Sequence, residues 1–222
     1  MTTTRIPLSP GQFYHIYNRG NNSEILFREE RNYRYFLALY TQYIEPVAET
    51  YAYCLLPNHF HFFIRIKDRN RVPSEERGSL QELEERGSPK EPRSLLPTLD
   101  PSAQFASLFG TYTKAFNKAY QRRGRLFSDR FQRKPVTNHA YFVTLIAYIH
   151  RNPQKHGLVD DFRDWPYSSY TAIVRNAAPG RNPVPTRVQW QTVIAWFDGL
   201  DPFLEFHRQT VDEILIAEVL ER

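Results

Sequence analysis

The stretch from Tyr53 to Lys67, YCLLPNHFHFFIRIK, places two histidines, His59 and His61, inside a run of apolar and aromatic residues that reads as sheet core. Successive side chains of a strand point to opposite faces. Phe60, Phe62, Ile64 and Ile66 therefore share one continuously apolar face, which must be the core side. His59, His61, Phe63 and Arg65 share the other. The two imidazoles stand side by side, away from that core, just after the turn residues Leu56-Pro57-Asn58. Such a pair is either a chance feature of a half-exposed sheet or a half-formed metal site that needs one further ligand, imidazole being the commonest metal-ligating side chain.

Working outward, Phe13–Asn18 reads as a first strand, closed by the turn cluster Arg19-Gly20-Asn21-Asn22. Tyr33, Phe36, Leu37, Tyr40, Tyr43 and Ile44 recur at helical spacing, and Pro46 closes that helix. Tyr51–Leu56 and Phe60–Lys67 form a hairpin across Pro57-Asn58. Residues 68–98 are polar, charged and proline-rich, with EERGS twice, and read as a flexible insertion. Asp100-Pro101 is an N-cap followed by proline at the first helical position. Phe105, Leu108, Phe109, Tyr112, Phe116 and Tyr120 mark that helix, and Gly124 is its expected stop. RLFSDRFQRKPV (Arg125–Val136) supplies a fourth strand. Asn138 caps a helix over Ala140–Ile149 that Asn152-Pro153 is expected to end.

The order strand, helix, strand, strand, helix, strand is that of an α+β fold, a ferredoxin-like split βαβ sandwich with an antiparallel sheet whose first and third strands are central. An extra helix follows, then a small helical C-terminal tail containing VQWQTVIAWF and TVDEILIAEVL. The expected organisation is a domain over residues 1–170, carrying the insertion, and a linker with helical extension over 171–222.

The 222 residues suffice for one domain with a core and an appendage, and 29 Lys and Arg against 24 Asp and Glu make the chain mildly basic. The single cysteine, Cys54, excludes an internal disulfide and a cysteine-based zinc cluster. No apolar run approaches the length of a membrane span, and MTTTRIPLSPGQ lacks a signal-peptide core. A cytoplasmic protein is expected.

On the extra helix, Tyr148 and Asn152 are separated by four residues. They therefore share a face, about 6 Å apart along the axis. A helix laid across the free sheet face could present both to the histidines, with Asn152 as a neutral oxygen ligand and Tyr148 as the reacting group. The plainer readings are that Asn before Pro is a helix terminus and that Tyr148 is one core aromatic among many. His150, two positions from Tyr148, should point away from that face, while His156 follows the helix.

YCLLPNHFHFFI, FNKAYQRRGRLFSDRFQRKPV and YIHRNPQKHGLVDDFRDWPYSSY resemble the HUH-type single-tyrosine transposases, especially their REP-associated branch, from about Phe13 to Tyr170. Residues 68–98 and the C-terminal tail depart from that pattern. The resemblance implies cleavage of single-stranded or hairpin DNA by a nicking and joining enzyme. Its metal ligands fall on His59, His61 and Asn152, and its nucleophile on Tyr148. The ion implied is Mg²⁺ or Mn²⁺: imidazole and amide ligands suit Mn²⁺, abundance favours Mg²⁺, and the ligand set also accommodates Zn²⁺. A monomer or a homodimer is compatible with it.

Lys114, Lys118, Arg122, Arg123, Arg125, Arg130, Arg133 and Lys134 form a basic run that reads as a phosphate track. Tyr112, Tyr120 and Phe127 interleave with it and offer rings for stacking on bases, although at this spacing they serve equally as core. Two other functional classes remain open. One is a non-catalytic hairpin-DNA-binding protein or repressor, against which the intact Tyr148, His59 and His61 argue. The other is a metal-dependent phosphoesterase, against which the basic run argues.

Overall fold

The computed structural model describes residues 6–68, 99–128 and 130–209. The insertion expected over 68–98 lies outside the described residues apart from Asp68, and so does the pattern TVDEILIAEVL. Among the described residues the elements run β1 (Phe13–Arg19), α1 (Glu30–Tyr43), β2 (Ala48–Leu56), β3 (His59–Ile66), α2 (Pro101–Ala119), β4 (Gln132–Val136) and α3 (His139–Lys155). Three shorter helices follow: α4 (Tyr170–Ala177), α5 (Trp190–Trp196) and α6 (Leu200–Arg208). The four strands form one antiparallel sheet in the order β2-β3-β1-β4, so the first and third strands are central, as the split βαβ reading requires.

The sheet is covered on both faces. Ile16, Leu55, Phe60, Phe62, Ile64 and Ile66 point to one side and pack with Phe36 and Tyr40 of α1 and Phe105, Leu108 and Tyr112 of α2. Tyr51, Ala52, Cys54 and Phe63 point to the other, where Leu145, Ile146 and Ile149 of α3 cover them. Each fully buried aliphatic side chain of this kind contributes about 1.5–3 kcal/mol relative to exposure. The seat of α3 is thus fixed by apolar packing, and the polar side chains on the same helix are carried into place with it. Val193 of α5, Phe203 of α6 and Phe197 between them join this second core, so α5 and α6, after the expected boundary at residue 170, share it.

The outer edge of β2 is occupied. Leu55 N–H donates to the Tyr167 carbonyl, Ser169 N–H donates to the Tyr53 carbonyl, and Trp165 Nε1 donates to the Leu55 carbonyl. The segment WPYSSY therefore pairs with an edge that would otherwise expose unpaired backbone groups. Cys54 is wholly buried beneath it.

Two boundaries differ from the sequence expectation for physical reasons. Strand β4 is only Gln132–Val136, and Pro135 sits within it. Since β4 is an edge strand, the missing N–H need not be supplied to a ladder. Helix α3 does not end at Asn152-Pro153 but continues to Lys155, capped at its start by the Asn138 side chain accepting from Tyr141 N–H. Asn152 is therefore an interior helical residue, 1 % exposed, and not a frayed terminus.

Candidate active site

The turn that begins β3 is held from the other side of the molecule. The Pro57 carbonyl accepts from both Leu26 N–H and Phe27 N–H, and the Asn58 carbonyl accepts from Gly20 N–H. Gly20 is required by the turn that follows it: a Cβ there would lie 1.9 Å from the Glu24 carbonyl oxygen. The backbone that presents His59 is thus fixed before any ligand arrives.

His59 is half-buried, and its Nδ1 lies 2.7 Å from Asn58 Oδ1. His61 is 6 % exposed, roofed by α3, and its ring centroid stands 5.2 Å from that of His59. Its Nδ1 lies 2.9 Å from Nε2 of a third histidine, His15 on β1, which is wholly buried. From α3, the Tyr148 ring meets His61 edge-on at 5.6 Å and His15 at 6.5 Å between centroids. Asn152 Nδ2 donates to the Tyr148 carbonyl at 3.1 Å, while its Oδ1 is buried with no complete hydrogen bond. The His156 ring, one further turn along, approaches His59 at 4.9 Å. Lys155 Nζ stands 5.9 Å from the Tyr148 ring. The sequence-derived set His59, His61, Tyr148 and Asn152 is therefore brought together where β3 meets α3.

Electrostatics keep the imidazoles neutral at physiological pH. Burial, then the charge of Lys134, brings His15 down to about 3. Burial and His156 bring His59 down to about 4, against the opposing pull of the Asn152 amide oxygen, which favours a protonated ring. Burial, followed by His15, His59 and His156, holds His61 well below the usual imidazole range. Neutral rings keep a lone pair available for a cation. Tyr17 of β1, half-buried, is shifted upward by burial and by Tyr148.

A cleft of about 550 Å³ opens beside the histidines, lined among others by Tyr17, Arg19, His59, His61, Gln132 and His156. Among the described residues no group of three His, Cys, Asp or Glu side chains is arranged to hold a metal ion. The donor set that does converge is two imidazoles and one amide. The buried Asn152 Oδ1, which faces His59 and completes no hydrogen bond, is the observation that fits a third ligand of this kind.

The basic run does not act as one surface. Lys114, Lys118, Arg123, Arg125 and Arg130 are exposed. Arg122 is half-buried, paired with Glu24 at 2.9 Å and bonded to Asn117 Oδ1 and the Arg125 carbonyl. Arg133 turns inward: 7 % exposed, it donates to the Ile6 carbonyl and Ser102 Oγ and lies over the Phe131 ring. Lys134 faces the histidine side of the sheet, in register with His15. Tyr112 and Phe127 are core residues, the Tyr112 hydroxyl donating to the Leu26 carbonyl, and neither ring is open to a base. Tyr120 is tied to Glu29 and Asn32.

His15, Tyr17, Arg19 and Asn58 were not singled out from the sequence. Alternation along FYHIYNR puts His15, Tyr17 and Arg19 on one strand face. Only the β1–β3 register, with Tyr17 opposite His61, tells that this face is the histidine face.

No family model matches the chain. Over 143 residues it is 28 % identical to a Haemophilus influenzae protein provisionally named a REP-associated tyrosine transposase, a match spanning 63 % of this chain and 69 % of that one. A solved REP-associated tyrosine transposase, bound to a REP hairpin, superposes with a TM-score of 0.54 at 16 % identity, covering 84 % of this chain and 95 % of that one. The chain thus resembles the REP-associated tyrosine transposases, in sequence over those 143 residues and in fold over most of its length.

Proposed function

We propose that this chain is a DNA nicking and joining enzyme of the single-tyrosine type, acting on single-stranded or hairpin DNA, with Tyr148 as nucleophile. The observation that carries the reading is the meeting of Tyr148 and Asn152, from α3, with His59 and His61, from β3, the two histidines lining a cleft. A core aromatic and a helix-terminal Asn would not bring one buried amide oxygen, with no complete hydrogen bond, beside a pair of neutral imidazoles.

His59 and His61, with Asn152 Oδ1, would hold the divalent ion, Mg²⁺ or Mn²⁺. When bound, such an ion supplies charge neutralisation at a non-bridging phosphate oxygen. Tyr148 Oη attacks the phosphorus, and the bond from phosphorus to the 3′-oxygen breaks. The phenol proton passes to solvent, the 3′-oxygen takes a proton from solvent and leaves as a hydroxyl, and the 5′-phosphate remains on Tyr148 as an ester. The phosphodiester energy is conserved in that ester, so an incoming 3′-hydroxyl reverses the step and joins strands without a nucleotide cofactor. The packing of α3 against the sheet holds the phenol beside the imidazoles, which is the positioning that phosphoryl transfer demands. The solved relative is bound to a REP hairpin, which makes a REP-like palindrome the first substrate to try.

The test is incubation with labelled single strands and hairpins plus Mn²⁺, followed by denaturing electrophoresis. A protein–DNA adduct that survives denaturation and vanishes in Tyr148→Phe is expected. Tight binding with no adduct under any divalent ion would instead make the chain a non-catalytic hairpin-binding protein.

A further inference from the structure

His15 on β1 makes a contact that the ligand set alone does not call for. Tyr17 stands opposite His61 in the β1–β3 register, and His15 stands opposite Phe63, so His15 and His61 are diagonal neighbours on one sheet face. Their rings stack at 5.1 Å between centroids, 22° from parallel, and His15 Nε2 lies 2.9 Å from His61 Nδ1. Both rings are buried. An imidazole has two nitrogens, and which of them is left for a ligand is set by the bond that the other makes.

The two candidate ligands show the same pattern with different partners. His59 Nδ1 is taken by Asn58 Oδ1 at 2.7 Å. A carboxamide oxygen only accepts, so His59 carries its proton on Nδ1 and keeps the Nε2 lone pair. His61 Nδ1 is paired with His15 Nε2, and with His61 as the donor in that bond its own Nε2 keeps the lone pair while His15 carries its proton on Nδ1. We infer that His15 is a positioning residue: it fixes the ring of His61 so that Nε2, and not Nδ1, is presented as a ligand, as Asn58 does for His59. The inference rests on the metal-binding reading for its purpose, but the ring orientation itself is a property of the metal-free chain.

No second hydrogen bond of its ring explains His15. Its Nδ1 is buried with no hydrogen bond, so a wholly apolar side chain would spare the fold an unsatisfied polar atom. A histidine at this place is explained by the one bond it makes, to His61.

The test begins with the unaltered, metal-free protein, labelled with ¹⁵N at histidine. A ring N–H on His61 Nδ1, hydrogen-bonded to His15 Nε2 and slow to exchange with solvent, is expected. Its absence overturns the inference. The variants His15→Phe and His15→Gln follow. Phe fills the space without a polar atom, whereas the Gln carboxamide reaches to the position of Nε2 and can accept or donate. Mn²⁺ affinity, read by electron paramagnetic resonance, should fall about 10–100-fold in His15→Phe, the usual cost of removing a partner behind a ligand. It should be largely restored in His15→Gln. A folded His15→Phe that binds Mn²⁺ like the unaltered chain overturns the inference. If His15→Phe does not fold, His15→Gln decides: recovery of affinity supports the inference, and a loss as deep as that of His61→Ala overturns it. That N–H in a chain that binds no Mn²⁺ at all supports the ring orientation and overturns the metal reading.

Discussion

Asn152 Nδ2 donates to the Tyr148 carbonyl oxygen, one turn back along α3, and this bond turns Asn152 Oδ1 toward His59 with no complete hydrogen bond of its own. The nucleophile candidate and the amide candidate are therefore set by a single helical turn. Rotating or breaking that turn would disturb both at once. Pro153, which follows directly, removes an N–H from the ladder at this point, yet the helix runs on to Lys155.

Tyr148→Phe should abolish adduct formation while leaving hairpin affinity within error. The substitution removes one hydroxyl and keeps the ring that packs on His61 and His15. A retained adduct, mapped by mass spectrometry to Tyr141 or Tyr17, would move the nucleophile elsewhere on the same face.

Asn152→Leu should lose the response to Mn²⁺ without loss of thermal stability. An unsatisfied buried acceptor costs about 1–3 kcal/mol, and the apolar replacement removes it together with the bond to the Tyr148 carbonyl. A melting temperature well below that of the unaltered chain would show that the amide is a structural element of α3 and not a ligand kept at the expense of stability.

The alternation of HFHFFIRI was enough to assign both faces of β3 and to place the histidines on the side away from α1 and α2. What it could not give was their burial. Helix α3 closes over His61, so the face left free by the first two helices is a second core. His61→Ala should therefore leave a cavity, where an open sheet face would not. Similarly, the four-residue spacing of Tyr148 and Asn152 was legible, whereas the continuation of α3 through Pro153 was not, because the local rule for Asn-Pro favours a stop. Arg133 reads as part of a basic run but alternates inward from an edge strand. His15 required a strand register, which no local pattern specifies.

Acid should destabilise the attachment of α6. His207 of α6 donates from Nδ1 to the Phe203 carbonyl at 2.8 Å and accepts at Nε2 from His150 Nδ1 at 2.9 Å. His150 Nε2 in turn accepts from Ser169 Oγ, which also receives Tyr53 N–H from β2. This chain of bonds closes only when both rings are neutral. Arg151 from α3 donates to the His207 carbonyl, Tyr170 of α4 packs on the ring, and Asp161, Arg163 and Arg208 line the adjoining cleft. Burial brings His207 down to about 4, from an ordinary value of 6.5. The unfolded chain therefore binds more protons between those two values. The stabilisation is full above about 6.5 and is lost as pH falls toward 4, at no more than about 1.4 kcal/mol per pH unit for one group. Melting temperatures at pH 7 and pH 5 should differ more for the unaltered chain than for His207→Leu. Equal pH dependence in the two would show that the acid-sensitive groups lie elsewhere.

The cations divide into those that hold the fold and those that face solvent, and substitution should separate them by salt dependence. Arg133→Met should lower stability, because it removes donors to the Ile6 carbonyl and Ser102 Oγ, and should leave the salt dependence of DNA affinity unchanged. Arg123→Ala and Lys118→Ala touch exposed side chains and should leave stability unchanged. If they meet phosphates, each should flatten the slope of log affinity against log salt by about 0.7 on a single strand, equally for matched and scrambled sequences. Arg19 lines the cleft beside His59, so Arg19→Ala should combine that smaller slope with slower adduct formation at saturating DNA. Arg122→Ala should behave like Arg133→Met, since its guanidinium is already held by Glu24 and Asn117. Fluorescence anisotropy at several salt concentrations, with melting curves for every variant, reads all five. A change of slope in Arg122→Ala or Arg133→Met without loss of stability would place these two arginines on the DNA and not in the frame that carries the site.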